Sequence, residues 1–109
     1  MIEWARVNEL RSEIGVEDFA EVAAMFLDEA NEVVRQISAD SGAKALEADL
    51  HFLKGAALNL GFSALAALCQ DGERRAGSGT TDVDLHQIKQ CYTASKLVFA
   101  TGLGQLDAA

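Results

Sequence analysis

The residues best equipped for chemistry lie together in one stretch, Leu50-His51-Phe52-Leu53-Lys54-Gly55-Ala56-Ala57-Leu58-Asn59-Leu60-Gly61. Read as a helix at about 100° per residue, it places Leu46, Leu50, Leu53, Ala57 and Leu60 on one buried stripe. His51 falls well away from that stripe, toward solvent. Lys54 and Gly55 follow at i+3 and i+4, so they are its surface neighbours. Leu58 and Phe62 continue the same ridge. Three features are unusual here: an outward histidine with a lysine one turn on, a mid-helix glycine costing about 1 kcal/mol relative to alanine, and large apolar groups facing water. One chemistry accounts for all three. The neutral imidazole is a nucleophile that takes up an anionic group. Lys54 offsets the charge, and Gly55, lacking a Cβ, leaves room for a partner to approach. Leu58 and Phe62 meet that partner.

The pattern His51-x-x-Lys54-Gly55, then Asn59-x-Gly61, then Leu65-x-x-Leu68-Cys69-x-x-x-Glu73 resembles the core of the histidine phosphotransfer (HPt) domains of bacterial phosphorelays. The motif covers about 23 residues, and the helix pattern fits the family along nearly the whole chain. The resemblance implies a phosphoryl group carried on His51 between receiver-domain aspartates in a multistep relay. It implies response-regulator receiver domains as partners, and a hybrid histidine kinase as a further one. The receiver would bring the Mg²⁺, so no cofactor of its own is expected, and no ATP site is visible. In the family, the residue 22 positions after the histidine orients the ring; here it is Glu73. Glu73 lies at the edge of its helix stripe, where its carboxylate could accept the Nδ1–H and leave Nε2 to attack. Lys54 would supply charge to the phosphoryl oxygens. One departure is Gly72, where many members carry leucine; it either lets helices close up or loosens the wall behind Glu73. Asn59 fits the family's small polar residue near the helix end, where it would cap or bond backbone.

These residues need a rigid frame, and the composition describes one. The chain has 109 residues, half of them apolar, with no proline. That is one domain, residues 1–109, of all-α class. The net charge of −8 argues against a nucleic-acid surface and against anionic lipid. No apolar run approaches the ~20 residues of a membrane span. Met1 leads into an amphipathic pattern rather than a signal peptide, so a cytoplasmic, free-standing protein is expected. Cys69 and Cys91 form no C-x-x-C pair and read as reduced, packed thiols, which suits that compartment.

In chain order, residues 3–14 form a short helix ended by Gly15, with Trp4 as a packing anchor. It acts as a lid over one end of a bundle. A long amphipathic helix spans 17–39, with Phe19, Val22, Ala23, Phe26, Leu27, Ala30, Val33, Val34 and Ile37 inward. Met25 lies off that stripe and can add to an adaptable contact surface. After the turn Asp40-Ser41-Gly42 comes the helix 43–60, ended by Gly61. Ser63 can cap the next helix, 64–76. A tight loop makes these two antiparallel neighbours. Gly77-Ser78-Gly79-Thr80-Thr81 is a flexible loop without a phosphate-cradle pattern. Thr81 or Asp82 caps the last helix, about 83–101, with Leu85, Ile88, Tyr92, Ser95 and Phe99 inward, and Gly102 and Gly104 fray its end. The expected fold is an antiparallel up-down four-helix bundle with a short additional N-terminal helix.

Other uses of these residues are bland or excluded by spacing. His86 also has a lysine at i+3, Lys89, but Gln90 replaces the glycine and no glutamate partner follows. Bundle metal sites use inward Glu-x-x-His pairs; Glu47-x-x-x-His51 has the wrong spacing, so no metal is expected. Two alternatives to phosphotransfer stand. One is a non-catalytic helical adaptor that binds and inhibits a receiver or kinase. The other is a homodimeric bundle using Leu58 and Phe62 as self-contact, against the expected monomer.

Overall fold

Glycines and one extended isoleucine cut the chain into its helices. A computed structural model describes residues 1–108, with side chains described through residue 104. The elements are α1 (Trp4–Ile14), α2 (Val16–Gln36), a 3-10 turn (Ala39–Ser41), α3 (Ala43–Leu60), α4 (Ser63–Gly77) and α5 (Leu85–Ala108). Helices α2 to α5 form the expected antiparallel bundle, and α1 covers one end. Among the described residues no strand occurs; only an isolated bridge joins Ile2 to Phe62.

The core sits where the apolar stripes meet. Leu46, Leu50, Leu53, Ala57 and Leu60 are each at most 1% exposed. Each buried leucine contributes about 1.5–3 kcal/mol against leaving it in water. Leu65, Cys69, Gly72 and Ala76 come from α4, and Ile88, Tyr92, Ser95 and Phe99 from α5. The Tyr92 hydroxyl shares its one hydrogen between the Leu27 carbonyl oxygen at 3.2 Å and Asn31 Oδ1, tying α5 to α2. Trp4 stacks on Phe99, with ring centroids 6.3 Å apart, and so anchors α1.

Several boundaries differ from expectation, each for a local reason. Helix α2 stops at Gln36, not residue 39. Ile37 turns extended (φ −58°, ψ 128°) and keeps its side chain in the core. Ser38 Oγ then accepts the Asp40 N–H and starts the 3-10 turn. Ser63 is the first residue of α4 rather than its cap, and its hydroxyl donates to the Met1 carbonyl. Asp84, not Thr81 or Asp82, caps α5: its Oδ1 accepts the Gln87 N–H at 3.0 Å. Helix α5 does not fray at Gly102. A Cβ there would lie 2.1 Å from the Trp4 ring, so the glycine is the seat of the indole while the helix runs on.

The largest correction concerns Phe62. It is fully buried, not part of an exposed ridge. Gly61 adopts the left-handed conformation (φ 76°, ψ 19°) and ends α3. The Phe62 N–H returns to the Ala57 carbonyl at 2.8 Å, and the Gly61 N–H to that of Leu58 at 3.3 Å. This double closure turns the following apolar side chain back onto the helix it leaves. The ring lands edge-on against Phe99, with centroids 5.4 Å apart.

Gly72 lets elements close up. A Cβ there would lie 2.9 Å from Val83 Cγ1 and 3.0 Å from Leu50 Cδ1, so neighbouring side chains fill the space a leucine would take. The backbone carrying Glu73 is therefore closely backed rather than loose.

Candidate functional site

Helices α3 and α4 run antiparallel from the turn at Gly61, so residues at similar distances from it face each other. His51 lies ten residues before Gly61 and Glu73 twelve after it. Glu73 Oε2 sits 2.6 Å from His51 Nδ1, and Glu73 Oε1 accepts from Lys54 Nζ at 2.7 Å. One carboxylate thus bridges both residues that the sequence singled out. The imidazole side chain is 72% exposed, against 17% for Glu73 and 20% for Lys54.

The electrostatics assign the tautomer. The Lys54 ammonium, hydrogen-bonded to Glu73, holds its carboxyl below the ordinary value of 4.5; partial burial opposes this, and the bond to His51 reinforces it. An ionised carboxylate only accepts, so His51 Nδ1 carries the hydrogen, and in the neutral ring Nε2 is the nitrogen with the lone pair. That nitrogen sits on a ring open to solvent.

This network carries a pH dependence of known sign. Glu73 is a carboxyl depressed in the folded state. Its stabilising contribution is present above about pH 4.5 and disappears as pH falls through the lower folded value. Urea denaturation of wild type and Glu73→Gln should show wild type more stable at pH 6, with the gap shrinking toward pH 3. A gap that stays constant over that range would mean Glu73 carries no depressed carboxyl.

Gly55 faces open space: no heavy atom lies within 4 Å of where its Cβ would be. Nothing inside the domain requires glycine there. Beside it runs a groove of about 300 Å³ between α2 and α3, lined by Phe26, Glu29, His51, Phe52, Gly55, Ala56 and Asn59. Phe52 is 43% exposed and Leu58 56%. So the apolar groups around His51 are Leu58 and Phe52, and Phe62 is not among them. Phe52 and Phe26 were missed; the available signal was a phenylalanine next to the histidine and off the leucine stripe. Met25 is exposed on α2, next to Phe26 but outside the groove lining. Among the described residues, the Asn59 side chain bonds another side chain rather than backbone. Its Oδ1 accepts from Arg6 Nη2 of α1 at 3.2 Å.

The remaining candidates lie elsewhere. Cys69 is buried, and burial pushes its thiol up to about 12, which makes it inert; Cys91 is half-buried, and both are free. His86 is exposed on α5, with no hydrogen bond to its ring among the described residues. Among the described residues, no group of three or more His, Cys, Asp or Glu side chains is arranged to hold a metal ion. No described helix is long and apolar enough to cross a membrane.

The family model described as Hpt domain matches residues 21–109, from the early part of α2 to the end of the chain, leaving α1 outside. No curated protein and no solved structure matches. With α3 to α5 and most of α2 inside the match, and a histidine, lysine and glutamate joined on α3 and α4, the chain belongs to the Hpt domain family, whose role is phosphotransfer in two-component signalling.

Proposed function

We propose that His51 is the phosphoacceptor, taking a phosphoryl group from a receiver-domain aspartate and passing it to a second receiver in a multistep relay within the cytoplasm. The observation that carries this reading is the exposed ring held at Nδ1 by Glu73. In the forward step the Nε2 lone pair attacks phosphorus of an aspartyl phosphate. The P–N bond forms, the P–O bond breaks, and the aspartate leaves as carboxylate. No proton need depart from Nε2. The ring, protonated at Nδ1 and now cationic, keeps the Glu73 carboxylate beside it. Return transfer reverses each change.

Positioning and charge stabilisation dominate phosphoryl transfer. Glu73 orients the ring, and Lys54 supplies positive charge one turn away. Phe52, Leu58 and Met25 offer the apolar contact for the receiver, which brings the Mg²⁺. The domain acts as a carrier with no ATP site of its own.

The test is transfer from a phosphorylated receiver with Mg²⁺. Label on this chain should be acid-labile and base-stable, as a phosphohistidine is. Receiver binding without label, across a panel of receivers, would favour an inhibitory adaptor instead. Gly55→Ala sharpens the test. Filling open space costs nothing inside the domain, and the helix gains up to about 1 kcal/mol. A methyl at the approach face should nevertheless slow transfer from the receiver, by about tenfold to a hundredfold if it displaces the reacting atoms by up to an ångström. Higher melting temperature with unchanged transfer would remove Gly55 from the docking face.

A further inference from the structure

Helix α1 lies outside the matched segment, yet it reaches the reactive face. It is pinned at the α3–α4 turn. The Glu3 N–H donates to the Gly61 carbonyl at 2.6 Å, and the Ser63 N–H to that of Met1 at 3.1 Å. A Cβ at Gly61 would lie 2.7 Å from the Glu3 carbonyl oxygen, so only glycine admits this strap. From this fixed base Arg6 extends to Asn59 Oδ1 at 3.2 Å and to Glu9. Arg6 and the exposed Leu58 line one depression of about 260 Å³. Leu58 also lines the neighbouring depression, which contains Lys54. Leu58 is therefore flanked by Arg6 on one side and, on the other, by Lys54, whose ammonium is held by Glu73.

We propose that Arg6 is a specificity-determining docking residue, pairing with a carboxylate of the partner receiver seated beside Leu58 and so setting the partner's orientation over His51. This rests on the phosphotransfer reading above. Asn59 lies eight residues beyond His51, about 12 Å along the helix, so Arg6 meets the partner and not the phosphoryl group. The guanidinium carries five donors in a rigid fork. Asn59 holds the fork in place. The bond to Glu9, a residue 60% exposed, is a weak surface ion pair and exchanges readily for a partner carboxylate. The groove that contains His51 presents Glu29 and shares Asn59 with the Arg6 contact, while the depression at Arg6 is also lined by Glu3. A receiver docked the right way round sets its acid over Arg6.

Steady-state transfer from a phosphorylated receiver tests this, alongside labelling by phosphoramidate, a small donor that needs no docking face. Arg6→Glu should raise KM for the receiver roughly tenfold with kcat within about twofold, and the effect should shrink as salt is raised. Labelling by phosphoramidate should proceed at the wild-type rate. Lysine at one receiver surface carboxylate should restore transfer to Arg6→Glu. Arg6→Gln removes the charge without reversing it; it should show a smaller rise, about threefold, should Arg6→Glu fold poorly. An unchanged KM in a folded Arg6 variant, with only the melting temperature moved, would make Arg6 a clamp for α1 and overturn the proposal. Wild type labelled by neither donor would remove the phosphotransfer reading and this proposal together. Phosphoramidate labelling with an unchanged variant KM would remove this one alone.

Discussion

Replacing His51 by glutamine is expected to leave the domain folded and to abolish phosphoryl uptake, whereas His86→Gln keeps it. The imidazole is 72% exposed, and its hydrogen bond is to Glu73 Oε2, which a glutamine amide can also donate to. Surface changes of this kind move stability by about 0.5 kcal/mol or less. The chemistry is lost outright, because an amide nitrogen has no lone pair free to attack phosphorus. His86 shares exposure and a lysine at i+3, but no carboxylate holds its ring among the described residues. The pair of variants thus separates a held, open imidazole from a merely solvated one. Labelling from a phosphorylated receiver, with a circular dichroism melt on each variant, reads both quantities. Label retained by His51→Gln would place the acceptor on another side chain.

What the sequence made legible follows from periodicity and spacing. Helix α3 occupies 43–60 as expected, because its leucine stripe and Gly61 bound it from both sides. Glu73 was reachable by the same logic: two antiparallel helices about one turn make residues ten and twelve positions away neighbours. The 2.6 Å bond to His51 is what that spacing anticipates. The misses occur where a helix ends. A helical wheel carried past Gly61 puts Phe62 outside, but the left-handed glycine redirects the chain. Ser63 looked like a cap, yet Met1, sixty-two residues away in sequence, claims its hydroxyl. Gly102 looked like a terminator, yet Trp4 needs the space. Phe52 was overlooked because attention to a leucine stripe discards the residues beside it. Apart from Phe52, whose signal was local, each of these errors comes from a tertiary contact, or a chain reversal, that no local window contains.

Phe62→Ala is expected to be the most destabilising single substitution considered, at about 3–5 kcal/mol. The ring is fully buried, so truncation loses its transfer energy and leaves a cavity. The cavity would open at a junction. Phe62 meets Phe99 of α5 edge-on, and Phe99 stacks on Trp4 of α1. The turn joining α3 to α4, the N-terminal helix and the last helix therefore share one aromatic contact. Loss of the ring also removes the apolar closure of the α3 terminus, next to the strap that carries Arg6. A domain of this size is stable by only about 5–15 kcal/mol, so a substantial share of its stability rests here. Urea denaturation should show a markedly lower midpoint with a similar slope. An exposed Phe62 on the docking ridge would behave in the opposite way, with stability within about 0.5 kcal/mol of wild type and weaker receiver binding. A near-neutral denaturation midpoint would thus return Phe62 to the surface. Transfer by this variant must be compared at temperatures where it remains folded, since any loss through unfolding scales with the unfolded fraction and says nothing of contact.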